Sequence, residues 1–250
     1  MRFLAVCYAV LAMTSLAASP ETLDRVAKRR IFFGHQSVGG NVIDGLGDVS
    51  GGKLTIVLGR TPEVFDAPAF VHALVGRNEA PATKIADFEK ALDDVGGRPD
   101  IAFFKFCYID FAASTDVERL FADYTAAMER LRAKYPKVTF VHVTVPLTIV
   151  QGGVKAWVKK RLGSAPWGEQ ENAVRHRFNE LLRTKLAGQP LFDLAAVEST
   201  RPDGSAQRYE LGGQQVPMLV PEYSDDGQHL NVVGRRRAAE ALLEFLAKLP

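Results

Sequence analysis

Two short segments near opposite ends of the chain carry the residue types of nucleophilic acyl chemistry. The first is Gly34-His35-Gln36-Ser37-Val38-Gly39-Gly40-Asn41. It follows an apolar run, so Ser37 falls at a strand-to-helix turn. Free backbone N–H groups and the positive end of the helix dipole gather at such a turn. The same amides can stabilise an oxyanion that develops beside a hydroxyl nucleophile. Serine is also a routine helix N-cap, and the segment alone leaves both roles open. The spacing of Gly34, Gly39 and Gly40 matches neither standard phosphate-loop pattern. The second segment is Ser224-Asp225-Asp226-Gly227-Gln228-His229-Leu230-Asn231. An Asp three residues before a His can hold a carboxylate against one imidazole nitrogen and leave the other to take a proton from a serine. Asp226 has that offset from His229, and Asp225 does not. A capped helix start with a surface His is the ordinary alternative.

Other candidates are single residues. His35 stands beside Ser37 and either contacts substrate or packs in the turn. Lys105 ends an apolar strand and, if buried, needs a partner, for which Asp110 and Asp226 are available. Cys107 lies in a Phe-rich run, where a free cysteine usually serves as a small core residue. His72, His142 and His176 lack metal-ligand spacing. A metal held by His35, Asp226 and His229 is the weaker reading of those side chains, and no metal or cofactor is expected. Trp157 and Trp167 sit in one long connection, where they either stack on a sugar ring or pin the loop.

The elements that must position these residues alternate. Apolar runs at 30–33, 54–58, 101–104, 138–145 and 190–194 read as strands. Amphipathic spacing at 38–46, 85–95, 117–135, 170–186 and 231–248 reads as helices. Such alternation implies a doubly wound, mainly parallel five-stranded sheet covered on both faces. Sites in these sheets lie beyond the carboxyl ends of the strands. Ser37 follows the first strand, and Asp226 and His229 precede the last helix. The stretches 151–168 and 199–223 are long connections of the kind that form binding loops.

Composition excludes several other classes. The chain has 250 residues, 47% hydrophobic and 24% charged, with a net charge of +2. A nucleic-acid binder normally shows a strong basic excess, so no nucleic-acid partner is expected. Residues 1–18 hold one charge, Arg2, then an apolar run closed by small residues, which is the pattern of a secretory signal peptide. The run is short for a membrane span. The expectation is a leader over 1–18, a single domain over 19–250, no stable membrane insertion, and a secreted or periplasmic location. Of the two cysteines, the mature chain would keep only Cys107, so no internal disulfide is expected.

A serine after the first strand and an Asp-x-x-His before the last helix, in a chain of alternating strands and helices, resembles the SGNH (GDSL-type) hydrolase superfamily. The resemblance spans the whole mature chain in architecture, though the motifs are short. It implies an α/β fold of three layers, α/β/α, SGNH-hydrolase or flavodoxin-like. It implies an exported esterase that cleaves a small acyl ester, with O-acetyl groups on a carbohydrate as a candidate substrate. Ser37 would be the nucleophile, His229 the general base and Asp226 the residue that orients it. Oxyanion donors would come from Ser37 and, in a candidate second-strand segment at 72–78, from Gly76 (Gly59 as runner-up) and Asn78. Substrate contacts would fall to His35, Asn41, Lys105 and Tyr108. The chain departs from the pattern twice. Its first motif is Gly-His-Gln-Ser in place of Gly-Asp-Ser. Its third strand ends Lys105-Phe106-Cys107-Tyr108-Ile109-Asp110, with no Asn for the oxyanion. Asn78 or Asn41, or the Tyr108 hydroxyl, would have to stand in. These departures keep a second class open, a non-catalytic glycan-binding or accessory protein on a degenerate fold of this type.

Overall fold

The computed structural model describes residues 18–250. The expected leader, apart from Ala18, lies outside the described residues. The elements are α1 Pro20–Val26, β1 Arg30–His35, α2 Val38–Ser50, β2 Ile56–Leu58, β3 Ala69–Leu74, α3 Pro81–Asp94, β4 Ile101–Phe104, α4 Val117–Lys134, β5 Thr139–Val143, α5 Gly153–Arg161, α6 Glu169–Lys185, β6 Leu191–Phe192, α7 Leu194–Glu198, β7 Arg208–Leu211, β8 Gln214–Pro217 and α8 Val232–Leu246. Six strands form one parallel sheet in the order β2-β3-β1-β4-β5-β6. β7 and β8 pair as a separate antiparallel hairpin.

The sheet therefore has six strands, not five. The sixth strand is β3, Ala69–Leu74; the candidate segment 72–78 overlaps only its last three residues, because Ala69-Phe70-Val71-His72-Ala73-Leu74 mixes small, aromatic and polar residues and gives no clean apolar run. β3 lies directly beside β1, with Phe32 opposite Val71. The two long connections also carry structure: α5 in the first and the β7–β8 hairpin in the second.

Alternate residues of β1 feed two cores, as the period of a strand requires. Ile31 and Phe33 pack on the side of α2 and α8, with Val38, Val42, Leu46, Leu242 and Leu246. Phe32 packs on the side of α3 and α4, with Phe88, Leu92 and Met128. Both sets are buried, and each such side chain contributes about 1.5–3 kcal/mol relative to exposure. β3 and β4 flank β1 on opposite sides, so the chain reverses its winding direction there. The turn after β1 consequently emerges at the switch point, where crevices of such sheets form. Gly34 is required at this end, because a Cβ would stand 2.9 Å from Val75 Cγ1 and 3.1 Å from Phe104 Cβ.

The second positioning device is the contact between α2 and α8. Gly45 on α2 is so close to α8 that a Cβ there would meet the Arg235 carbonyl oxygen at 2.2 Å. Arg235 reaches back to Asp48 at 2.8 Å. Ser37 immediately precedes α2, and His229 stands two residues before the Asn231 cap of α8. Close helix packing thus joins segments 192 residues apart. Among the described residues no helix is long and apolar enough to cross a membrane.

Gly45→Val should push the helices apart and lower stability by about 1–3 kcal/mol, the usual range for overpacking. Gly47→Ala, on the same helix where a Cβ meets nothing within 4 Å, should leave stability unchanged or raise it by about 0.5–1 kcal/mol. Thermal melts of the two variants check the contrast.

Candidate active site

Ser37 occupies a sharp corner with φ 49° and ψ −116°. A non-glycine residue at positive φ costs about 1–3 kcal/mol and persists only where the surroundings impose it. Its side chain makes no cap bond to α2, so the N-cap role does not account for it. Ser37 Oγ lies 2.8 Å from His229 Nε2. His229 Nδ1 lies 2.7 Å from Asp226 Oδ2. Both distances fall in the range a nucleophile–base–orienter chain needs. The Asp226 carboxylate also accepts the backbone N–H groups of Gln228 and His229 at 2.7 Å each. Partial burial pushes its pKa up, but these amides and the imidazole outweigh it and hold the carboxyl well below its ordinary range. Asp226 is therefore ionised at neutral pH. Gly227, at φ 82°, lets the loop double back, and a Cβ there would meet Ile149 at 2.6 Å. Asn41 Oδ1 accepts the Leu230 N–H at 3.2 Å and ties this loop to α2.

Tyr108 comes from the short turn after β4. Its hydroxyl is 3.4 Å from His229 Nε2 and interacts with the Ser37 side chain. Burial pushes the phenol up from its ordinary value, so it carries its proton at neutral pH. The turn is fixed from below by Asp110. Its carboxylate accepts the Cys107 N–H at 2.7 Å, the Glu79 N–H at 3.0 Å and the ammonium of Lys84 at 2.5 Å. Lys84 and Asp110 are both fully buried.

No protein-family model matches the chain, and no curated protein matches it. Solved structures do. One is a Streptococcus pneumonia protein provisionally assigned as a platelet activating factor, with TM-score 0.51, 13% identity and 92% of each chain covered. Another is a Desulfitobacterium hafniense protein provisionally assigned to the G-D-S-L lipolytic family, with TM-score 0.50 and 11% identity over 86% of this chain and 98% of that one. The chain has an SGNH-hydrolase-like fold.

Several residues expected at an SGNH-type site are occupied elsewhere. The Gly76 N–H donates to Asp87 Oδ2 at 2.8 Å, so it is not free for an oxyanion. Its carbonyl instead accepts Gln36 Nε2 at 3.0 Å. Asn78 Oδ1 accepts from Lys84 at 3.0 Å, which turns that side chain toward the buried ion pair. Lys105 is 1% exposed and donates to the Phe106 carbonyl and toward Cys107 Sγ. It cannot touch substrate, and the partners considered for it, Asp110 and Asp226, are paired with Lys84 and His229. Asn41 braces the His229 loop through its side-chain oxygen. His35 is buried, stacked on Phe33 and hydrogen-bonded through Nε2 to His72 Nδ1 at 2.9 Å. Tyr108 is the one residue of that set whose polar atom reaches the Ser37–His229 pair. Among the described residues, no three His, Cys, Asp or Glu are grouped to hold a metal.

His35 carries a pH signature. Burial, then the positive charge of Lys105, lower its pKa from 6.5 to about 3, and its Nδ1 has no hydrogen-bond partner. The unfolded chain binds a proton there that the folded chain refuses. That contribution to stability is complete above about pH 6.5 and is lost as pH falls toward 3. His35→Asn should melt with a shallower dependence on pH between 7 and 4 than the wild type. Parallel Tm profiles would contradict this account.

Proposed function

We propose that the chain is a serine esterase that cleaves a small acyl ester, with O-acetyl groups on a carbohydrate as the candidate substrate, and that it acts after export. The observation that carries this reading is the hydrogen-bonded chain from Ser37 Oγ through His229 to Asp226, presented at the carboxyl edge of an SGNH-like sheet. Ser37 Oγ attacks the acyl carbon while His229 Nε2 takes its proton. Asp226, held ionised by two amides, orients the ring and stabilises the imidazolium. The imidazolium then protonates the leaving alcohol. Water, deprotonated by His229, releases the acid and restores Ser37.

The negative charge that develops on the carbonyl oxygen needs donors. With Gly76 and Asn78 engaged elsewhere, the Tyr108 hydroxyl is assigned this role, beside the amides at the start of α2. It stays protonated, it reaches the Ser37–His229 pair, and it stands after the same strand from which the superfamily's Asn comes. The departure at the third motif is then a replacement of one donor by another. Nothing in the geometry favours the binding-only alternative.

The test uses purified protein with 4-nitrophenyl acetate and a fluorophosphonate probe. Wild type should hydrolyse the ester and be labelled, and Ser37→Ala should do neither. Equal labelling of both would remove Ser37 from the mechanism. Asp226→Asn should lower kcat by about 10³–10⁴-fold by releasing the imidazole from its tautomer. Tyr108→Phe should lower kcat by about 10²–10³-fold, the usual loss for one oxyanion donor, with KM little changed. An undiminished kcat would exclude Tyr108 as that donor.

A further inference from the structure

Beside Tyr108 lies a cavity of about 190 Å³, lined by neither Ser37 nor His229, whose walls include Tyr108, Thr148, Trp167, Glu171, Arg175 and Gln228. Tyr108 is shared with the site, and Gln228 directly precedes His229. The cavity is smaller than the ~300–1,000 Å³ pockets that hold drug-sized ligands, which suits one small ring and not a long acyl chain. Its chemistry is mixed. Arg175, on α6, is only 4% exposed. It donates through Nε to the Tyr108 carbonyl at 3.0 Å, and through Nη1 to Thr148 Oγ1 at 3.0 Å and Asn172 Oδ1 at 2.6 Å. All three acceptors are neutral. None of these bonds uses Nη2, which has no protein acceptor among the described residues. Burial lowers the Arg175 pKa to about 10, yet the guanidinium remains charged at neutral pH.

One turn earlier on α6, Glu171 presents a carboxylate that makes no hydrogen bond among the described residues, and it interacts with Arg175 through charge alone. A strong donor and a strong acceptor of opposite charge therefore face one small space. Trp167 completes it, with 43% of its surface exposed at the rim. An acyl chain placed here would strip water from two ionic groups and return nothing for it. An anionic group would be drawn to Arg175 but repelled by Glu171. A neutral ring with apolar faces and hydroxyls on its edge meets all three conditions. Its C–H face covers the indole, and its hydroxyls accept from Nη2 and donate to the carboxylate.

We propose that this cavity is the subsite for the sugar ring that carries the ester, so that the alcohol part of the substrate is a carbohydrate. Its place in the reaction rests on the esterase reading above; its capacity to bind does not. Trp157 and Trp167 are the chain's two tryptophans, so Trp157→Phe leaves Trp167 as sole reporter. In the Ser37→Ala/Trp157→Phe protein, 6-O-acetylglucose should change the emission saturably, and ethyl acetate at equal concentration should not. In active protein, Glu171→Gln and Trp167→Ala should each lower the ratio of kcat/KM for 6-O-acetylglucose to that for 4-nitrophenyl acetate by about tenfold. An unchanged ratio, or no saturable emission change, overturns the subsite even if esters are hydrolysed. Saturable emission in a protein that hydrolyses neither ester supports the subsite and removes the esterase reading instead.

Discussion

The approach of α2 to α8 is the constraint on which the site depends. Ser37 and His229 belong to segments at opposite ends of the chain, and no loop connects them directly. They meet because Gly45 lets one helix lie against the Arg235 carbonyl of the other, while Arg235 and Asp48 hold the pair laterally. The buried faces of both helices press on Ile31 and Phe33 of β1. The strand that delivers the serine is thus also the floor on which the two helices are aligned. A change in that packing would move the Oγ–Nε2 distance directly, and catalytic geometry is sensitive to displacements of about 1 Å.

A second constraint works from the other side of the sheet. The Lys84–Asp110 pair is fully buried, and burying two charges is costly unless their remaining hydrogen-bonding capacity is met. Here the spare capacity of the carboxylate goes to the Cys107 and Glu79 amides, and that of the ammonium to Asn78. One ion pair therefore ties the loop after β3 to the turn after β4. That turn presents Tyr108. The same arrangement draws the Asn78 amide oxygen onto Lys84, while the Gly76 N–H is bound by Asp87, which also holds Arg60.

The legible part of the molecule was the part governed by local rules. Ser37 after an apolar strand, and Asp226 three residues before His229, are spacing signals, and the alternation of strands and helices needs only periodicity. What escaped was set by packing between distant elements. β3 lies next to β1, but His72 within it and the small residues around it conceal where it begins, so the candidate segment 72–78 caught only its end. Lys105 and Lys84 look alike in sequence, and only the register of β4 against α3 decides which of them reaches Asp110. Arg175 falls on a helix face among polar neighbours, with nothing local to mark it as buried beneath Tyr108. Gly76 has the residue type an oxyanion donor needs, but its N–H direction is fixed by Asp87, eleven positions on.

On the proposed esterase reading Tyr108 stands in for the asparagine of the third motif, and its surroundings hold it in place. The turn after β4 that carries Tyr108 is held by Asp110 from within the core. The phenol then arrives with its ring edge-on to His229 and beneath the guanidinium of Arg175, 5.7 Å from the ring centroid. A cation over an aromatic face is attracted to the ring, and the Arg175 Nε bond to the Tyr108 carbonyl fixes the backbone as well. Arg175 therefore holds Tyr108 twice while lining the neighbouring cavity. A ligand that engages Nη2 would act on the residue that holds Tyr108, so on the proposed reading recognition of the alcohol and stabilisation of the oxyanion would share one arginine.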